Sequence, residues 1–154
     1  MKDILLVEDS ELDAQLVLRA LKRHRIANPV RLVRDGLEAM NYLRQTEKVA
    51  AIGPALPGVL LLDLRLPGMS GYEILECIQE QAQCARMLRV VLSQLGEVQM
   101  IKRAYELGAD SYLVKPLCED DLLDLIAAFP GYWAFCSRTP AAPSSAGLPL
   151  PASR

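Results

Sequence analysis

Residues 59–71 read VLLLDLRLPGMSG. Four aliphatic residues in a row, Val59 to Leu62, leave no polar side for a solvated face. That is the mark of a strand buried on both faces. The run stops at a charge, Asp63. Pro67, Gly68 and Gly71 then make a turn-rich loop. Ile74, Leu75 and Ile78 follow at helical spacing. A buried strand, an acid at its carboxyl end and a helix form a unit whose pattern recurs along the chain.

Upstream, Ile4–Val7 is a second apolar run and ends in Glu8-Asp9. Leu12, Leu16 and Ala20, with Val17 and Leu21 beside them, predict a helix face capped near Ser10. Asn28-Pro29 breaks the chain, Val30–Val33 is a short strand, and Asp35-Gly36 a turn. Leu37, Met40 and Leu43 mark a second helix. Residues 46–57, with Gly53, Pro54 and Pro57, read as a loop. Downstream, Leu88–Leu92 is a strand ending at Ser93. Val98, Ile101 and Tyr105 belong to a helix that stops near Gly108. Tyr112–Val114 is a strand ending at Lys115-Pro116, and Leu122, Leu125 and Ile126 belong to a last helix. Five strands alternating with five helices predict an α/β fold: one five-stranded parallel sheet, doubly wound, with helices on both faces. The folded unit is assigned to 1–130 and an aromatic extension (FPGYWAF, 129–135) to about 131–137. A Pro/Ala/Ser-rich tail, 138–154, is expected to be disordered.

The composition limits what such a fold does. At 154 residues and 51% hydrophobic, the chain suits one domain with a real core. No apolar run reaches the roughly 18 residues that cross a bilayer. The first apolar run meets Glu8 too early for a signal peptide, so the expected location is cytoplasmic. A net charge of -2 argues against a nucleic-acid binder. The basic run Arg19, Lys22, Arg23, Arg25, Arg31 and Arg34 reads as a solvated helix end, with partner docking as the other reading. The four cysteines fit neither a zinc pattern nor a CxxC pair.

Ligands of parallel sheets bind outside the carboxyl ends of the strands. The residues there are Glu8 and Asp9, Asp63, Ser93 and Lys115. Three carboxylates at one rim raise each other's pKa unless a cation relieves them. Oxygen ligands suit Mg²⁺, which commonly shares its shell with a phosphate. A metal and Lys115 would neutralise a transferring phosphoryl group, and Ser93 could donate to one of its oxygens. A carboxylate can itself be the nucleophile, and Asp63 is the natural one. Singly, Asp9 reads as a helix cap, Asp63 as a turn opener, Ser93 as an N-cap and Lys115 as a solvated residue. Together, at the ends of four separate strands, they point to one site.

These residues resemble the response regulator receiver domain of two-component signalling. The matching stretches are ILLVEDS (4–10), LLLDLRLPGMSGYE (60–73), VVLSQ (90–94) and AYELGADSYLVKP (104–116). The resemblance implies a flavodoxin-like receiver fold with Asp63 as phosphoacceptor. Glu8, Asp9, Asp63 and the backbone carbonyl of Arg65 would hold Mg²⁺. Ser93 and Lys115 would contact the phosphoryl group, and Tyr112 would be the aromatic switch. The Lys115-Pro116 bond is expected to be cis. Arg65 and Gln94, where the family pattern differs, would modulate hydrolysis. The partner implied is a sensor histidine kinase. LVEDSELDAQLVLRALK and VRLVRDGLEAMNYLR look more narrowly like stand-alone regulators that partner phytochrome-type kinases.

Output would run through a face made by the fourth helix, fifth strand and fifth helix. Trp133 and Phe135 read either as a cap on the last helix or as part of a homodimer surface. Two other functions share parts of this pattern. A haloacid-dehalogenase-like phosphatase also forms an aspartyl-phosphate but needs an acid where Arg65 stands. An unphosphorylated interaction module would be expected to lack a key acid or the lysine, and none is missing.

Overall fold

The computed structural model describes residues 2–49 and 56–136. Strands β1 (Ile4–Val7), β2 (Val30–Val33), β3 (Val59–Asp63), β4 (Leu88–Ser93) and β5 (Ser111–Val114) alternate with helices. The helices are α1 (Glu11–Arg23), α2 (Gly36–Val49), α3 (Gly71–Gln79), α4 (Val98–Glu106) and α5 (Glu119–Ala128). One 3₁₀ turn, Ala82–Cys84, precedes β4. All strand pairs are parallel, in the order β2-β1-β3-β4-β5.

The apolar strands of the sequence are buried because both faces of the sheet are covered. On one face Leu5, Val7, Leu60, Leu62 and Val91 meet Met40 and Leu43 of α2, Ile74, Leu75 and Ile78 of α3, and Ala104 of α4. On the other, Ile4, Leu6, Leu61, Val90 and Leu92 meet Ala14, Val17 and Leu21 of α1 and Leu122 and Leu125 of α5. Alternate residues of one strand thus serve two cores. Central β1, β3 and β4 bury every residue, while edge strands β2 and β5 do not.

Two expectations need correction. Helix α2 continues through 46–49, which the sequence reading gave to the loop. Thr46 is buried there, its hydroxyl donating back to the carbonyls of Tyr42 and Leu43. Residues 50–55 of that loop, and the tail 138–154, lie outside the described residues. The buried face of α1 is Ala14, Val17 and Leu21, whereas Leu12 is 70% exposed and Leu16 is 43% exposed. Val98, Ile101 and Tyr105 fall in α4 as expected; Ala104 is its buried residue, while Val98 and Tyr105 face solvent.

The aromatic extension is built into the fold. Trp133 is buried in the α1/α5 core, so its ring is withdrawn from any dimer surface, while Phe135 is 53% exposed. The segment runs antiparallel to the α1–β2 connector, with a bridge between Ile26 and Phe135. Buried Asn28 fastens it: its amide donates to the carbonyls of Lys2 (2.8 Å) and Tyr132 (3.0 Å), and its oxygen accepts from the Ala134 N–H at 2.6 Å. The residues of the basic run are exposed. Arg23 pairs with Glu119, Arg34 with Glu11, and Arg31 lies over the Tyr42 ring.

Candidate functional site

Register places the rim. Val7 pairs with Leu62 and Asp63 with Leu92, so the residues after β1 and at the end of β3 emerge side by side. Ser93 pairs with Val114, which brings Lys115 level with them. The backbone then fixes the loops: Glu8 N–H donates to Val33 (3.0 Å) and Lys115 N–H to the Ser93 carbonyl (2.7 Å). The Lys115-Pro116 bond is cis, as expected. Gly71 opens α3 against the end of β3, its N–H donating to Leu64 at 3.0 Å. A methyl group there would lie 2.5 Å from the Asp63 carbonyl oxygen, so the close approach requires glycine.

The structure brings the predicted residues other than Ser93 and Tyr112 together around a cavity of about 330 Å³. Glu8, Asp9, Asp63, Arg65, Gln94 and Lys115 line it, with Ser10, Leu12 and Asp13. One carboxylate oxygen from each of Glu8, Asp9 and Asp63 lies within 4.8 Å of the others. An oxygen-only donor set of this size fits a hard divalent cation. Asp9 and Gln94 are exposed, whereas Glu8, Asp63 and Ser93 are buried. Asp63 Oδ1 accepts from the Arg65 N–H at 3.2 Å, and Ser93 Oγ accepts from the Leu95 N–H at 3.2 Å. Tyr112 is half-buried and its hydroxyl donates to the Leu95 carbonyl.

Lys115 is the buried cation of the rim. Its ammonium donates to Glu8 Oε1 and, at 3.1 Å, to Asp13 Oδ2, and it stands 3.5 Å from Asp63 Oδ2. Asp13 was missed by the sequence reading. It sits three residues after the Ser10 cap, where an acid reads as serving its own helix, and its partner is 102 residues away. Burial pushes the Glu8 carboxyl up to about 7 from 4.5, outweighing the Lys115 hydrogen bond, and the Asp63 charge adds to the rise. Burial acts to lower the Lys115 amine. The hydrogen bonds to Glu8 and Asp13 and the charges of Asp63 and Glu8 more than offset it, and the amine is held above its ordinary value.

Comparison with known proteins agrees with this geometry. Residues 4–127 match the family model of the response regulator receiver domain. The chain is 37% identical over 137 residues to the probable methanogenesis regulatory protein FilR2 of Methanothrix harundinacea, covering 89% of this chain and 86% of that one. It is 35% identical over 141 residues to response regulator Rcp1 of Synechocystis, covering 92% and 95%. The structure of Rcp1 described as Mn²⁺-bound superposes with a TM-score of 0.67, at 35% identity over 83% of this chain and 91% of that one. The bacteriophytochrome response regulator RtBRR superposes with a TM-score of 0.77, at 36% identity over 91% and 84%. None of this favours the phosphatase reading, and Arg65 stands where that enzyme's second acid would be. Sequence, sheet order and rim converge: the chain belongs to the response regulator receiver domain family.

Proposed function

We propose that Asp63 accepts a phosphoryl group from a sensor histidine kinase and that the chain signals through protein contacts. The observation that carries this is the convergence of Glu8, Asp9, Asp63 and Lys115 on one cavity. An Asp63 carboxylate oxygen attacks phosphorus. The P–N bond to the kinase histidine breaks, its electron pair returns to the imidazole, and an acyl phosphate remains. Mg²⁺, held by Glu8, Asp9, Asp63 and the Arg65 carbonyl, supplies charge neutralisation when bound. Lys115 and the Ser93 hydroxyl bind phosphoryl oxygens, Tyr112 relays the change, and Arg65 and Gln94 at the cavity mouth modulate hydrolysis.

Similar structures named as response regulators of a bacteriophytochrome and of a cyanobacterial phytochrome support a phytochrome-type kinase as partner. No helix among the described residues is long and apolar enough to cross a membrane, which agrees with a cytoplasmic protein. The output surface is the face of α4, β5 and α5, where Tyr105, Val114 and Leu123 are exposed, and exposed Phe135, against the α1–β2 connector, offers a separate homodimer contact. Nucleic acid is not a partner in this reading. The receiver occupies 1–130 and the extension 131–137, with 138–154 a linker-like tail.

Incubation with Mg²⁺ and acetyl phosphate, followed by intact mass, tests the central claim. Wild type gains one phosphoryl mass and Asp63→Asn none. A wild type that gains nothing is the interaction module instead.

A further inference from the structure

We propose that Asp13 is a positioning residue that holds the Lys115 ammonium off the Asp63 nucleophile, so that the ammonium meets the incoming phosphoryl group. The inference rests on the reading of Asp63 as phosphoacceptor.

Three observations carry it. The first is the partner set of Lys115. Its side chain is 7% exposed, so water contributes little to solvating the ammonium. Glu8 and Asp13 accept hydrogen bonds from it, while Asp63 Oδ2 is an ion-pair partner at the longer distance of 3.5 Å. An ammonium has three donors in a fixed tetrahedral spread. With two engaged by Glu8 and Asp13, one donor remains beyond these two bonds, and Lys115 and Asp63 line the same cavity.

The second is the placing of Asp13 at the start of α1. An acid three residues after a serine cap ordinarily reaches back to the cap's own N–H. Here Ser10 Oγ accepts from the Asp13 N–H, but the Ser10 N–H donates to Glu8 Oε2 at 3.2 Å. The Asp13 carboxylate is thereby released from its helix, and it pairs with Lys115 after β5.

The third is that Asp13 stands outside the triad of clustered oxygens from Glu8, Asp9 and Asp63. Glu8 is shared between the lysine and that triad. Asp13 is the acid whose only recorded side-chain partner, among the described residues, is Lys115.

Without Asp13 the ammonium has Glu8 and Asp63 left to satisfy it. A direct bond to Asp63 would occupy a lone pair of the attacking carboxylate and pull the donor away from the phosphoryl oxygens. Misplacement on this scale costs about ten- to a hundredfold in rate.

The test measures Mg²⁺-dependent labelling of the full chain by acetyl phosphate, with Asp13→Ala, Asp13→Glu, Lys115→Ala and the double variant Asp13→Ala/Lys115→Ala. Asp13→Ala should slow labelling by about tenfold or more at saturating donor, and Asp13→Glu should recover part of the loss. Mg²⁺ affinity by calorimetry should change little. The effect should vanish in the Lys115→Ala background, because a residue acting through another is non-additive with it. Nitrogen NMR of the lysine ammonium groups gives a second readout: Asp13→Ala should shift or broaden the Lys115 signal and leave the others. Labelling of Asp13→Ala at the wild-type rate overturns the proposal, as does an undiminished effect without Lys115 or an unmoved Lys115 signal. A wild type that takes no phosphoryl group overturns the reading of Asp63, a separate and recognisable failure.

Discussion

The hydroxyl of Tyr112 donates to the carbonyl oxygen of Leu95 at 2.5 Å. The N–H of the same Leu95 donates to Ser93 Oγ at 3.2 Å. Two side chains thus hold the loop between β4 and α4, one at the phosphoryl end and one on the proposed output side. Ser93 cannot turn its oxygen toward a phosphate without releasing that N–H. Tyr112→Phe removes one hold at a cost of about 1 kcal/mol. Labelling of Asp63 by acetyl phosphate should proceed near the wild-type rate. The phosphorylation-dependent change in mass by light scattering should be blunted, and an unchanged response would detach Tyr112 from output.

Mg²⁺ binding should depend on pH through Glu8. Without metal its carboxyl holds a proton up to about 7 instead of 4.5. The folded chain therefore binds more protons than the unfolded chain between those values. Its contribution to stability, full below 4.5, is lost as pH rises to 7. A cation needs the ionised carboxylate, so binding releases a proton. Apparent Mg²⁺ affinity should climb from pH 6 to 8 and then flatten. Calorimetry in buffers of different ionisation enthalpy would detect proton release near pH 6.5, and its absence there would refute the assignment.

Gly71→Ala should damage the rim from behind. The added methyl would lie 2.5 Å from the Asp63 carbonyl oxygen and 2.8 Å from Leu64 Cα, both rigid backbone. The start of α3 must back away from β3, at about 1–3 kcal/mol. Urea denaturation should show that loss and acetyl phosphate labelling should slow. Wild-type stability would mean that the helix moves freely.

Asn28→Ala should loosen the extension. Three hydrogen bonds go, and the partners left buried include the Ala134 N–H. The expected cost is roughly 2–4 kcal/mol. Faster amide exchange should be confined first to residues 26–28 and 132–136. Uniform protection across those residues would show that the apolar packing of Trp133 suffices alone.

The strands and the rim were legible because a parallel sheet covered on both faces leaves uninterrupted aliphatic runs. VLLLD announces both its burial and the acid at its end. Glu8, Asp63, Ser93 and Lys115 were found on that basis. Helix faces were less legible. Leu12, Leu16 and Ala20 mark an apolar stripe with Val17 and Leu21 beside it, yet the sheet takes Val17 and Leu21 together with Ala14 and leaves Leu12 and Leu16 exposed, a choice only the third dimension decides. The last turn of α2, TEKV, carries too little apolar signal to separate it from a loop. Asp13 was hidden because its local role as a helix-start acid was sufficient by itself.

The extension has an optical consequence. The chain has one tryptophan, and Trp133 is buried against the α1/α5 core. Its segment docks on residues 25–28, ahead of the first residue of β2, whereas Glu8 and Asp9 follow the last residue of β1 and Asp63 is the last residue of β3. The chromophore and the cation site therefore sit at opposite ends of the sheet. Its emission reports the seating of the chain's last aromatic segment without direct quenching from the rim. Any spectral change on phosphorylation would mean that the signal had crossed the full length of the strands.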